Sequence, residues 1–386
     1  MAHKNIEALI NSKGQNPWEY SFELEAEGMT EDENKAFEEF KGKGAIERYL
    51  IYRSTDCDRV MSVYIEGREL AKDNIKKYGI IPDCDGSDGY CKLAIDLYKK
   101  LWDWGDASPG KKFLKINNIM FGRTEFGGDT MNSAQTAMDI LLESVANPKS
   151  EYYNYKQGGF SANFYMHLYA KFGESFVRKL EENTTLKIFL GSYHTLGNFV
   201  LVPAGFNKKR GSKSTYDFWD SSLVWLKRYG YGNFKAEYFK NYINYFFLWD
   251  YVDKVDKEGK YKIKPLFESH DKIEDGETLE ESKANWTNIT EEEAGSFMEN
   301  ATAIIRRRGI FMTAMLRLKA HIGDDEYNNL RREVFEADKP YSGYEDVIKQ
   351  ILIHLNNKLP EDVEKTLTEE WNLEKIKEEL QAANGR

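Results

Sequence analysis

Three clusters of residues in this chain have the types and spacing to do chemistry. The stretch Tyr193–Lys213, YHTLGNFVLVPAGFNKKRGSK, places His194, Asn198 and Asn207 around a short apolar run closed by Pro203, and follows it with Lys208, Lys209, Arg210 and Lys213. A compact cationic turn of this kind suits a phosphate, because ammonium and guanidinium groups donate charge-assisted hydrogen bonds to its oxygens. His194 and Asn198 are its catalytic candidates; the competing reading is a structural His and Asn pair bonded to backbone. The second cluster is FGRTEFGGDTMNS, Phe121–Ser133, in which two glycines precede an expected helix capped by Asp129, with Arg123 and Glu125 just before. Backbone N–H groups at such a helix start hold anions, but an Asp cap competes for the same donors. No strand and no Lys make it a P-loop, so an ordinary capped turn stands beside the functional reading. The third is Arg308 in IIRRRGIFMTAMLRL. It shares the apolar stripe of Ile304, Ile305, Phe311, Met312 and Met315, while Arg306 and Arg307 point elsewhere. An inward guanidinium requires a carboxylate or a ligand anion, and Asp217 or Asp220 is the expected internal partner.

These residues must be positioned by a framework that reads as mainly α: a multi-helix globular protein with a small β hairpin or sheet near residues 186–203. Helical patterns run over 30–43, 45–78, 90–104, about 129–145 and 160–180, and the acidic Asp83–Asp88 lacks the spacing of a calcium loop. LKIFL and FVLV, on either side of the GSYHTLGN bend, are the strand candidates. Helix then returns through Trp219, Leu223 and Leu226, and again through Tyr238, Tyr242, Phe246 and Trp249. Residues 253–295 are charged and poor in apolar side chains apart from YKIKPLF, and helices resume near Glu291. The expected division is an N-terminal extension over 1–29, a main helical domain over 30–322 with an inserted charged loop 253–295, and a C-terminal helical region over 323–386.

The totals exclude several classes of function. A formal charge of −10 argues against a protein that coats nucleic acid nonspecifically, which takes many cations to neutralise phosphates. Cys57, Cys84 and Cys91 make neither a disulfide framework nor a zinc pattern, which fits a reducing cytoplasm. No secretion signal or membrane-spanning run is evident. Aromatics are 14% of the chain, with 24 Tyr and 8 Trp; rings at helical spacing read first as core and second as stacking platforms for bases or sugars.

Taken together, FGRTEFGGDTMNS, YHTLGNFVLVPAGFNKKRG, YDFWDSSL and YINYFFLWDYV resemble the recurring blocks of a bacterial protein family without an assigned activity, over residues from about 30 to 320. That resemblance implies no reaction. The run from His167 through HTLGNFVLVPAGFN is also similar to the HNH-like nuclease domain of GmrSD-type restriction enzymes. This second resemblance implies His167 as the base for water, Asn198 as its orienting group and Asn207 beside a divalent metal. Met166 stands where that pattern has its acidic metal ligand, and the Pro after the His is absent.

The residues themselves assign no cofactor and no metal. The function expected from them is binding of a phosphate-bearing ligand, a nucleotide or a nucleic-acid end, by Arg123, Asn207, Lys208, Arg210 and Arg308. The alternatives are a non-catalytic helical protein that docks a protein partner or a second copy of itself, and a divergent HNH-like nuclease.

Overall fold

The computed structural model describes residues 97–98, 100–102, 115–116, 119–120, 127–132, 137, 182–192, 195–203, 206, 218–232, 234–253, 261–266, 290–336 and 340–384. The helices expected over 30–43, 45–78 and 160–180, the acidic Asp83–Asp88 and most of the 253–295 segment lie outside the described residues.

The fold is mainly α. Helix α1 (Thr184–Ser192) is followed by α2 (Trp219–Tyr229) and α3 (Phe239–Tyr245). Then come α4 (Glu291–Leu330) and three C-terminal helices, α5 (Tyr344–His354), α6 (Glu361–Leu367) and α7 (Leu373–Asn384). Residues 97–98 and 100–102 are helical too, as the sequence predicts. Among the described residues the strands pair in twos, all antiparallel: β1 (Lys115–Ile116) with β2 (Ile119–Met120), β3 (Gly127–Thr130) with β4 (Phe199–Val202), and β5 (Val252–Asp253) with β6 (Lys262–Ile263).

The sheet near 186–203 is present, with FVLV as one strand as the sequence offers, but its partner is not LKIFL. LKIFL belongs to α1: Leu186, Phe189 and Leu190 are buried while Lys187 and Ile188 are exposed, a period of 3.6 and not 2. Asn183 caps that helix through its side-chain oxygen, which accepts the Leu186 N–H at 2.9 Å. The partner of FVLV is instead GGDT, with Gly127 opposite Val202 and Thr130 opposite Phe199. Asp129 is therefore a strand residue opposite Val200 and not the helix cap expected of it. A ladder is made of backbone groups, so two glycines and an Asp serve where an apolar strand needs one edge paired, whatever their own β-propensity.

The helix expected to run through Trp249 stops at Tyr245. Phe247 takes φ 56, and the Leu248 N–H reaches back to the Ile243 carbonyl at 2.9 Å, so the chain reverses in a left-handed helix end. A left-handed Phe is strained. Its ring offsets that strain among Trp102, Trp249, Phe311 and Phe335, whose centroids lie 5.1–5.9 Å away. Most described aromatic rings sit in this one core, which also takes Tyr261, Ile263 and Leu266 from YKIKPLF.

Helix α4 is the spine. Thr290 and Glu293 form a reciprocal capping box, with bonds of 3.1 and 3.0 Å, at the start the sequence predicts. Thr290→Ala removes one half of it, and a loss of about 1 kcal/mol of stability is the expected result in chemical denaturation. A midpoint unchanged from the parent would show that the box holds nothing. Gly323, with φ 78 and ψ 169, interrupts α4, and α5, α6 and α7 add Val347, Ile351, Val363 and Ile376 to the same core. Among the described residues, no helix is long and apolar enough to cross a membrane.

Candidate functional site

Gly197 fixes where the stretch 193–213 meets the spine. It lies in a single 3-10 turn, Leu196–Asn198, that leads into β4. A Cβ placed on it would lie 2.0 Å from the Ile305 carbonyl oxygen and 3.1 Å from the Gly309 nitrogen, both backbone atoms of α4. Only glycine permits that approach.

The contact brings Arg308 to the turn. Arg308 is fully buried; its Nη1 donates to the Gly197 carbonyl and its Nε to the Phe246 carbonyl, each at 2.7 Å, and its Nη2 donates to the Tyr98 hydroxyl. Tyr98 passes the bond on, donating to the Phe199 carbonyl at 2.7 Å. One guanidinium thus holds the middle of the turn and the carbonyl end of α3, and reaches the start of β4 through Tyr98. The carbonyls of Phe199 and Leu201, two residues apart and so on one edge of β4, accept from Tyr98 and Tyr242, the latter at 2.8 Å. Side-chain hydroxyls thereby cover a strand edge that would otherwise be unpaired.

No carboxylate among the described residues pairs with Arg308. Asp220, one of the two partners the sequence offers, accepts the backbone N–H groups of Ser221 at 2.7 Å and Leu266 at 3.0 Å instead. Asp217, the other, lies outside the described residues. Nor do the tyrosines supply a negative charge. Burial pushes the Tyr251 phenol above its ordinary range, against the pull of its bond from Asn132 and the charge of Arg308, so it stays neutral. Tyr344 is raised for the same leading reason. Arg306 and Arg307 do point elsewhere, to Glu370 at 3.3 Å and Asp250 at 2.8 Å.

Asn198 is also fully buried, and its carboxamide makes a reciprocal pair with Asn132. Oδ1 accepts the Asn132 backbone N–H at 3.0 Å and Nδ2 donates to the Asn132 carbonyl at 2.8 Å. The Asn132 side chain donates onward to the Tyr251 hydroxyl at 2.9 Å. The group that the nuclease resemblance makes the orienter of His167 is thus committed to the end of β3. His167, His194, Arg123, Asn207, Lys208, Lys209, Arg210 and Lys213 lie outside the described residues.

The β3–β4 register sorts these candidates into two groups. At one end of the ribbon, Thr130 and Phe199 adjoin Asn132, Asn198 and Arg308. At the other, Gly127 faces Val202, so the segment that carries Arg123 joins the ribbon where β4 leaves toward Asn207 and Lys208. Four strand residues separate the two ends, about 10 Å at 3.4 Å per step. Phe206 and Phe218, both buried, anchor the chain on either side of the cationic segment. Sequence reasoning missed Tyr98, Asn132 and Tyr251; the only trace of them was the Asn in each of the two blocks that the ribbon joins.

Among the described residues, no group of three His, Cys, Asp or Glu side chains is placed to hold a metal ion. Comparisons of the chain with protein-family models, with curated proteins and with solved structures returned no match.

Proposed function

We propose that this protein binds a phosphate-bearing ligand, a nucleotide or a nucleic-acid end, at the exit end of the β3–β4 ribbon. Lys208, Lys209, Arg210 and Lys213 supply charge, Asn207 and Arg123 supply further donors, and His194 belongs to the opposite approach to the strand. Arg308 acts in this reading as a positioning group: its three bonds go to the protein, and they fix the turn from which β4 starts.

The observation that carries the reading is the register. Pairing Gly127 with Val202 makes the segment with Arg123 enter the ribbon at the end where β4 leaves toward the cationic segment, in a chain that is acidic as a whole. Excess positive charge gathered there attracts an anion, and bonds between cations and phosphate oxygens are the strong kind.

Calorimetric titration of the full chain with ribose 5-phosphate, with ribose as the control, tests this. The wild type should bind the phosphate ester and not the sugar. Replacing Lys208, Lys209, Arg210 and Lys213 together by Ala should weaken binding at least about tenfold, since each charged bond contributes roughly 1.5–3 kcal/mol. An ester that fails to bind the wild type, or that binds the variant equally well, would contradict the proposal.

A further inference from the structure

His354, at the end of α5, stands between two carboxylates that a neutral histidine cannot both serve. Its Nδ1 lies 2.6 Å from Glu333 Oε2 and its Nε2 lies 3.0 Å from Glu326 Oε1. An ionised carboxylate only accepts, so each contact is a hydrogen bond only where that ring nitrogen carries a proton. A neutral imidazole has one N–H and an imidazolium has two. The position of the ring favours the second form as well, because His354 lies in the last turn of α5 and a helix end of that kind attracts a cation. Its side chain is 8% exposed, against 48% for Glu326 and 66% for Glu333, so the ring is the covered member of the trio.

Neither glutamate has a second hydrogen-bond or ion-pair partner among the described residues. The other charges on the packed elements are engaged elsewhere. Asp324 pairs with Lys319 at 3.3 Å, Arg331 with Glu336 at 3.1 Å, and Arg332 donates to the Asn328 carbonyl and Asn329 Oδ1, each at 3.2 Å. On α5, Lys349 pairs with Glu379 of α7 at 2.7 Å, Glu345 and Asp346 lie at the far end, and Lys358 follows in an exposed turn.

What the two glutamates fasten is the least regular stretch of the spine. Gly323, with φ 78, interrupts α4 three residues before Glu326. Glu333 lies in a π-helical turn, Arg331–Phe335, where the Glu336 N–H reaches back five residues to the Arg331 carbonyl at 3.0 Å. Such turns are rare in helices and frequent at functional positions. One ring therefore ties α5 to a segment bounded by two backbone irregularities.

We infer that His354, Glu326 and Glu333 form a proton-operated clasp that locks residues 324–335 of the spine onto α5. With its second proton the ring donates to both carboxylates. Without it, one carboxylate faces a ring lone pair at hydrogen-bond distance, and that arm opens. The stability that the clasp contributes is full on the acid side, where histidine is charged and glutamate still ionised, and is lost as pH rises through the range in which histidines discharge.

Urea unfolding of the full chain tests this at about pH 5.5 and about pH 8.5, on either side of the ordinary range of histidine and above that of glutamate. The comparison is with His354→Gln, whose amide does not titrate. His321, which bonds Asp362 at 2.8 Å, is present in both proteins and cancels in the difference. At the lower pH the unfolding constant of wild type should lie about tenfold or more below that of the variant, the scale of a charged hydrogen bond, and at the higher pH the two should agree within about threefold. Hydrogen exchange, corrected for the intrinsic effect of pH, should quicken in wild-type peptides over 324–335 at the higher pH and stay unchanged over 294–316. In a Glu326→Gln, Glu333→Gln background, which keeps the size of two exposed side chains, the effect of His354→Gln should no longer depend on pH. A wild-type advantage that is equal at both pH values, or greater at the higher one, overturns the clasp. A pH-dependent advantage that persists in the double-glutamine background overturns it too.

Discussion

Gly197→Ala should be among the most damaging substitutions in the chain, lowering stability by about 3–5 kcal/mol. The added methyl would stand 2.0 Å from the Ile305 carbonyl oxygen and close to the Gly309 nitrogen, and neither backbone atom can rotate away. The turn must retreat from α4, which stretches the 2.7 Å bond from Arg308 as it does so. Gly191→Ala is the matched control. Its Cβ would meet nothing within 4 Å, and it lies within α1, where Ala is the better helix former by about 0.5–1 kcal/mol. Denaturant unfolding of the two variants should therefore move in opposite directions. Equal midpoints would mean that the turn does not touch the spine.

Arg308→Met should lose roughly 3 kcal/mol or more. Its buried acceptors, Gly197 O, Phe246 O and Tyr98 Oη, lose their donor, and an orphaned buried group costs about 1–3 kcal/mol. Relief of a desolvated charge offsets part of this, because an apolar side chain carries no such penalty. Arg308→Lys keeps the charge but not the planar fork, so it should fall between Met and wild type. Set against a total of roughly 5–15 kcal/mol, either loss is readily measured. A Met variant as stable as wild type would show that the charge costs as much as its bonds contribute.

The inward face of Arg308 is legible in the sequence because apolar residues recur around it at helical spacing; its partners are not. Two of them are main-chain carbonyls, which every residue carries, so no residue type marks them. The same limit explains the ribbon. GGDT has no strand signature, and its pairing with FVLV rests on backbone groups brought together by tertiary contacts. KIFL is ambiguous for a different reason: its β-branched and aromatic residues suit a strand, and only the burial of Leu186, Phe189 and Leu190 exposes the helical period. By contrast, the start of α4 is readable, since the Thr290–Glu293 box is a local device written in neighbouring residues. Of the candidate site, the cationic segment is legible as composition. That the chain enters β3 at the end of the ribbon where it leaves β4 is not, because that follows from register.

The location of the ligand is the sharpest test of the reading. Hydrogen exchange of the full chain, with and without saturating ribose 5-phosphate, should slow in peptides spanning 204–213 and around Arg123. The peptides of α5, α6 and α7 should be unaffected. Exchange that slows at those C-terminal helices, or that leaves 204–213 unchanged while ribose 5-phosphate is bound, would contradict a ligand site at the exit end of the ribbon.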